Sequence, residues 1–273
     1  YELSEQKEQK ITLNNVPEKE LEQLTENFDA LWLMGVWKRS QKSVEIAKNH
    51  SDLQKEFKNA LKNFTEEDVV GSPYSIQSYE VDPRLGDKEG LKRIADWLHK
   101  RDKLLFVDFV TNHTAIDHPW VVNNPEYYVH TSFKERKELP DGFIEIDGKA
   151  FAHGKDPYFA PWTDTLQLNV CSNAYRREVC DLLTSMAEIV DGVRCDMAML
   201  FLNRIFKNTW GDFLKENCLS VESEFWEEVI SRVKSKKPNF TFIAESYWGT
   251  EWALQQLGFD ICYDKKLNDR LLK

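Results

Sequence analysis

"DGVRCDMAML", residues 191–200, sets an arginine two places before an aspartate inside an otherwise apolar run. Apolar neighbours on both sides predict a buried strand, where charges are costly unless paired or put to use. In a strand, residues i and i+2 project from the same face. Arg194 and Asp196 are therefore expected side by side, with Val193 and Cys195 on the opposite face.

Working outward, helical periodicity and apolar runs alternate. Residues 172–190, opened by Ser172 as a cap, predict the helix that precedes this strand. "EFWEEVISRVK" (224–234) predicts the helix after it, followed by a strand at "FTFIAE" (240–245). "EWALQQLG" (251–258) reads as a helix closed by glycine, and "FDICYD" (259–264) as a further strand. Upstream, "LLFVDFV" (104–110) and "DALWLM" (29–34) read as strands. Residues 87–102 form an amphipathic helix with Leu91, Ile94, Ala95 and Leu98 inside. In 16–28, Pro17 stands near a helix start and Leu21, Leu24 and Phe28 follow at helical spacing. Such alternation predicts an α/β fold, a parallel sheet covered by helices. The stretch 114–168 has little helical period but many aromatic residues, as expected of a long inserted segment on a strand's C-terminal edge. The expected organisation is a barrel part over 1–113, an inserted segment over 114–168, and the barrel continued over 169–273.

Composition narrows the function. The 273 residues suffice for a substantial core, and 41% hydrophobic with 12% aromatic residues excludes a disordered chain. A net charge of −10 argues against nucleic acid, whose binders present basic surfaces. It is compatible with a neutral ligand such as a sugar, or simply with a solvated acidic surface. No apolar run approaches the ~20 residues of a membrane span, and the first ten residues carry no export signal. The five cysteines are scattered and odd in number, so they read as reduced thiols in a cytoplasmic protein.

Acidic residues recur at the ends of successive strands: Asp108, Asp196 and Glu245, with Arg194 and His113 nearby. In parallel α/β folds that edge is where sites are built. Two carboxyl groups facing one pocket can divide acid and nucleophile roles, which suits the cleavage of glycosidic bonds.

From about residue 17 to 264 the sequence resembles the α-amylase family of retaining α-glucosidases and transglycosylases. "FDALWLMGVW" resembles that family's second barrel strand and "GSPYSIQSYEVDPRLG" the loop after it. "DFVTNH" (108–113) matches the third-strand motif, "TLQLN" (165–169) the motif near the end of the inserted domain, "GVRCD" (192–196) the fourth-strand motif and "FIAESYW" (242–248) the fifth. The resemblance implies a (β/α)8 TIM-barrel catalytic domain, incomplete in this chain, with an inserted domain after its third strand. It implies Asp196 as nucleophile, Glu245 as general acid and base, and Arg194 as the cation that keeps Asp196 ionised. It further implies His113 as a sugar-hydroxyl donor, Asp108 as a bracing carboxylate and Tyr74 as the aromatic stacked on the first sugar ring. The implied partner is an α-linked oligosaccharide or polysaccharide, without nucleic acid or membrane.

Several positions depart from the family pattern. Ser75 follows the stacking tyrosine where many members have an acidic residue, and "MAML" lacks the lysine–histidine pair that usually closes the fourth-strand motif. Many members bind calcium through the asparagine of the third-strand motif, here Asn112, and an aspartate of the inserted domain. Gln167 stands at that second place, and an amide is a poorer ligand for a hard cation than a carboxylate. No cofactor is therefore expected to be required, calcium included. No histidine follows His153, so the family's third catalytic carboxylate, which follows a histidine, is not found. The expectation is a piece of a longer protein, inactive by itself. Alternatives are a transglycosylase on the same scaffold and a non-catalytic carbohydrate-binding relative.

Overall fold

A computed structural model describes residues 2–132, 141–214 and 223–272. Its centre is a sheet of five parallel strands, Ala30–Leu33, Leu104–Val110, Gly192–Asp196, Thr241–Ala244 and Ile261–Cys262. They lie side by side in chain order. Each is reached through a helical crossover, so the sheet is the consecutive run of strands of a (β/α) barrel, and it is not closed. The register is tight: Gly192 pairs with Phe106 on one side and with Thr241 on the other. Only glycine fits there, because a Cβ would come within 2.3 Å of the Thr241 carbonyl oxygen.

Aspartates just before the strands fasten the N-terminal edge. Asp191 accepts from the Leu105 amide at 2.8 Å, and Asp260 accepts from the Phe242 amide at 2.8 Å. Outside the sheet, helices Lys88–His99, Asn173–Met186 and Phe225–Lys236 bury one face each. Their caps follow the sequence, with Asp87 accepting from Gly90 and Ser172 from Tyr175. Leu91, Ile94, Ala95 and Leu98 are all buried, as the amphipathic pattern predicts. Tyr175, Phe201, Phe225, Trp226 and Phe259 form a run of ring contacts beneath the sheet. Fully burying an aromatic or branched aliphatic side chain contributes about 1.5–3 kcal/mol, so this layer anchors the helices. The Trp226 indole also donates to the Ala198 carbonyl at 2.8 Å. Arg176 crosses the same layer with its charge answered by Glu228 at 2.7 Å.

The 114–168 stretch is not uniformly irregular. Strand His113–Ala115 pairs antiparallel with Thr165–Gln167, and His130–Ser132, Phe143–Ile146 and Lys149–Ala152 make a three-stranded sheet. Strands of three or four residues are too short to show a periodicity.

Three expectations need correction. Helix Glu18–Thr25 buries Leu21 and Thr25, one turn apart, leaving Leu24 and Phe28 exposed. Phe28 lies beyond the helix end, so helical spacing does not govern where it points. Asp108 is inside its strand, Leu104–Val110, rather than at its end. Cys171 is disulfide-bonded, which overturns the reading of all five cysteines as reduced thiols. Cys180, Cys195 and Cys262 are free, and Cys218 lies outside the described residues. Among the described residues no helix is long and apolar enough to cross a membrane.

Candidate active site

Strand geometry delivers the charged groups. Arg194 pairs in register with Asp108 across the sheet, and Asp196 projects from the same face two residues on. Beyond the last formal pairs the ladder continues: the Glu245 amide donates to the Cys195 carbonyl at 3.1 Å, and the Ala198 amide donates to the Glu245 carbonyl at 3.1 Å. Glu245 is thereby fixed beside Asp196 on the neighbouring strand end. The Tyr263 amide is fixed in turn on the Ala244 carbonyl at 3.0 Å.

Arg194 sits at the centre. Its Nη1 bonds Asp196 Oδ1 at 2.6 Å and reaches Asp108 Oδ1 at 3.4 Å, while Nη2 meets Glu245 Oε2 at 2.7 Å. Its Nε donates to the Tyr263 hydroxyl at 3.1 Å. The rings of Trp32, Tyr74 and Tyr263 stand 5.5, 5.5 and 5.7 Å from the guanidinium carbon, within the range of cation–π attraction. All three carboxylates are buried. The cation is held charged, its pKa raised because Asp196 and Glu245 outweigh the burial that opposes it.

Asp108 and Glu245 have further donors. Asp108 Oδ2 accepts from the Gly35 amide at 2.7 Å, and the Trp32 indole also bonds this carboxyl. Gly35 has φ +66, and a Cβ there would meet Pro73 at 2.6 Å, so this amide can be presented only by glycine. Glu245 Oε2 accepts from the Met197 amide at 2.8 Å, and its Oε1 accepts from the Tyr247 hydroxyl at 2.7 Å. Met197 adopts a left-handed conformation, φ 45, to present that amide. Asp196 differs from the expectation that Arg194 leaves it readily ionised. Burial pushes its pKa up, Arg194 pulls it down, and burial prevails, with Glu245 adding to the rise.

Asp108, Asp196, Glu245 and Arg194 thus converge, and Tyr74 joins them through its ring. His113 does not bond the carboxylates. Its ring packs 5.0 Å from Trp162, and its neighbours are the Asn112 amide at 3.4 Å and the Tyr74 backbone. Burial lowers its pKa to about 4, so it is a neutral imidazole. Cavities of ≈ 490 Å³ near His50 and Trp162 and ≈ 480 Å³ near Tyr79 and Leu182 contain none of these carboxylates. Sequence reasoning missed Trp32, Tyr247 and Tyr263. Tyr263 directly follows its strand and precedes Asp264, so an aromatic residue beside a charged one at a strand end is the available signal there.

Asn112 is adjacent to Gln167, and the donor set between them is a poor fit for calcium. Gln167 Nε2 donates toward Asn112 Oδ1 at 2.9 Å, the Asn112 carbonyl at 2.9 Å and the Leu168 carbonyl at 3.0 Å. Its Oε1 is buried without a partner. The point on which three oxygens converge is filled by a donating nitrogen, whereas calcium takes six to eight oxygens. Among the described residues no cluster of three or more His, Cys, Asp or Glu could hold a metal ion.

Comparison with known proteins gives the family and the fold. The family model "Alpha amylase, catalytic domain" matches residues 20–265. Alpha-amylase 3 of Dictyoglomus thermophilum is 24% identical over 205 residues, covering 71% of this chain and 37% of that protein. An alpha-1,4-glucan:maltose-1-phosphate maltosyltransferase of Cereibacter sphaeroides is 26% identical over 185 residues, covering 66% and 23%. The crystal structure of an alpha-amylase from Lactobacillus plantarum superposes with a TM-score of 0.60 at 20% identity, covering 96% of this chain and 53% of that one. The chain spans about half of that solved structure and a smaller share of the two sequence relatives.

The site carries a stability cost with a defined pH dependence. A carboxyl whose pKa is raised on folding binds its proton more tightly in the folded state. The folded state therefore loses stability as pH rises above about 4, where the unfolded carboxyl titrates. Asp196→Asn removes this contribution, so urea unfolding at pH 5 and pH 7 should find the variant at least as stable as wild type at pH 7. A loss above about 1 kcal/mol at pH 7, a typical single-mutation effect, would show that the Arg194 pair outweighs burial.

Proposed function

The chain belongs to the alpha-amylase catalytic-domain family, and on that premise we propose that it carries the nucleophile and the acid/base of a retaining α-glycosidase acting on α-linked glucans. The observation that carries the reading is one guanidinium bonded at once to Asp196 and Glu245, at 2.6 and 2.7 Å. Retaining chemistry needs its two carboxyl groups about 5–5.5 Å apart, and a shared guanidinium on adjacent strands supports that spacing. Asp196 attacks the anomeric carbon as the bond to the leaving oxygen breaks, and Glu245 gives that oxygen its proton. Glu245 then takes a proton from water, whose oxygen displaces Asp196 and restores the original configuration.

The hydrogen bonds favour one oxygen for the proton. Oε2 of Glu245 already receives Arg194 and the Met197 amide, so a proton there would meet two donors. Among the described residues Oε1 bonds the Tyr247 hydroxyl, which can rotate to accept. Arg194 stabilises the negative charge that Glu245 gains on giving up its proton, without moving, because Tyr263 and three carboxylates fix its plane. Tyr74 offers a ring face to the sugar on the nucleophile's side, and neutral His113 offers a hydroxyl contact beside it. Asp108 braces Arg194 and the loop at Gly35.

The maltosyltransferase relative makes transfer to a sugar, rather than to water, the second reading. Products longer than the substrate from maltotriose would identify transfer; shorter products alone would identify hydrolysis. The expected cytoplasmic setting rested on reduced thiols, and the disulfide at Cys171 removes that support. We place no resident calcium in the reaction, because the Gln167 amide occupies the position where a cation would gather Asn112.

In any form of the protein that turns over maltooligosaccharides, Asp196→Asn should abolish that turnover, since an amide cannot act as the nucleophile. Glu245→Gln should cost at least about 10² in kcat on them, the lower range for general acid catalysis. It should cost much less in the first step on an α-glucoside with an activated leaving group, which a stopped-flow burst would reveal. Near wild-type turnover by Asp196→Asn would remove the assignment. For the metal, a chelator should leave the melting temperature unchanged within about 1 °C, far less than the ~2–4 °C that a 1 kcal/mol loss causes in a chain of this size. A large drop reversed by calcium would show a site built from other oxygens.

A further inference from the structure

Hydrogen bonds that hold the loop carrying Tyr74 converge on one residue of the inserted stretch, Asp164. Ser75, one of the departures from the family pattern, is fully buried and gives its hydroxyl proton to the Asp164 carbonyl at 2.9 Å. The Asp164 side chain reaches the same loop by a second route. Its Oδ2 accepts from the Ser43 hydroxyl at 2.6 Å, and Ser43 Oγ in turn accepts from the Ser72 amide at 3.2 Å. Ser72 Oγ then accepts from the Tyr74 amide at 3.2 Å. A carboxylate offers only acceptors, and a hydroxyl has one proton to give. Asp164 therefore draws the Ser43 proton toward itself and leaves the Ser43 lone pairs for the Ser72 amide. The start of helix Gln41–Asn49 completes the anchorage. Ser40 caps it by accepting from the Ser43 amide, and the Ser40 amide donates to the Ser75 carbonyl at 3.1 Å. Behind this joint lies the cavity of ≈ 490 Å³, which Ser43, Gly71, Ser72 and Asp164 help to line. The loop has room to retreat on that side, so bonds rather than packed side chains set its position there.

We propose that Asp164 is the positioning residue that sets Tyr74 against the sugar bound on the nucleophile's side, a reading that rests on the retaining glycosidase function above. The placement of this loop matters at the site. The Tyr74 ring stands 5.5 Å from the Arg194 guanidinium carbon, and the Tyr74 backbone bonds His113. Asp164 acts on that ring at a distance, through Ser43 and Ser72 by its side chain and through Ser75 by its backbone. The backbone arm survives any substitution of the side chain, so cutting the side-chain arm loosens the loop without detaching it. Ser75 makes the backbone arm possible, because an ionised acidic side chain at that place has no proton to give a carbonyl. The serine at 75 and the carboxylate at 164 are thus two parts of one joint, which couples the fit of the sugar to the docking of the inserted stretch.

Two measurements on the whole chain test this: titration calorimetry with 1-deoxynojirimycin, a glucose-shaped amine that fills only the position of the sugar being cleaved, and amide hydrogen exchange. Asp164→Ala should weaken 1-deoxynojirimycin binding by roughly tenfold, the scale of one aromatic contact. It should speed exchange at the Ser72 and Tyr74 amides while the Leu104–Val110 amides exchange as slowly as before. Asp164→Asn should bind within about threefold of wild type, because its amide oxygen still accepts from Ser43. In a Tyr74→Ala background the loss from Asp164→Ala should vanish, as expected when one residue acts only through the other. Unchanged affinity in Asp164→Ala, an Asn variant as weak as the Ala variant, or a loss that persists without Tyr74 would overturn the proposal. Faster exchange throughout the sheet would also overturn it, by showing a residue that merely holds the fold. If wild type binds no 1-deoxynojirimycin, faster exchange confined to Ser72 and Tyr74 would uphold Asp164 as the anchor of Tyr74 and overturn the glycosidase reading instead.

Discussion

A guanidinium sealed among three carboxylates persists only if each charge is answered, and Arg194 is the group on which that balance turns. Its partners come from three neighbouring strands: Asp108, Asp196 and Glu245. Asp108 is further tied to the Gly35 amide and the Trp32 indole, and Glu245 to the Met197 amide and the Tyr247 hydroxyl. Removing Arg194 would leave these buried carboxylates without their cation, and an uncompensated buried charge typically costs about 3–5 kcal/mol. The strand ends are therefore held in register by electrostatics as well as by the hydrogen-bond ladder. The same constraint orients two carboxylates toward one point with different surroundings. Asp196 is raised by burial against the pull of its cation, whereas Glu245 keeps one oxygen facing a hydroxyl that can reverse its role.

Much of this arrangement could be read from residue order. The two-residue spacing of Arg194 and Asp196 fixed their shared face, because strand periodicity leaves no other option. Long apolar runs and well-capped helices placed the five strands and the three helices against them. The small sheets within 114–168 were illegible, because their pairings join residues far apart in sequence through strands of three or four residues. Leu24 and Phe28 misled for a related reason: spacing says which residues share a face, not whether the helix lasts long enough to use it. Tyr263 and Trp32 were missed because their roles come from neighbouring strands, and a linear reading assigns partners only along its own strand. The Arg194–Asp196 pair itself was seen, but the net direction of the Asp196 shift needed the burial that only the fold supplies.

Gln167 shows how one side chain can replace a coordination requirement with a hydrogen-bond requirement. Its amide nitrogen gathers the Asn112 and Leu168 oxygens and joins the His113 strand to the Thr165–Gln167 strand. That joint anchors the inserted stretch against the sheet. From the same stretch come Trp162 beside His113 and Tyr158 beside Trp248. The inserted stretch thus touches the barrel part at His113 and at Trp248.

The central claim is that Asp196 becomes covalently bonded to a sugar during turnover. The most direct measurement is mass spectrometry of the protein after reaction with a fluorinated α-glucosyl fluoride that slows hydrolysis of the glycosyl-enzyme, followed by peptide mapping. The account predicts a single added glycosyl mass on the peptide containing Asp196, absent in Asp196→Asn and formed more slowly in Arg194→Lys. A label on Asp108 or Glu245, or steady turnover with no covalent adduct and inverted product configuration, would contradict it.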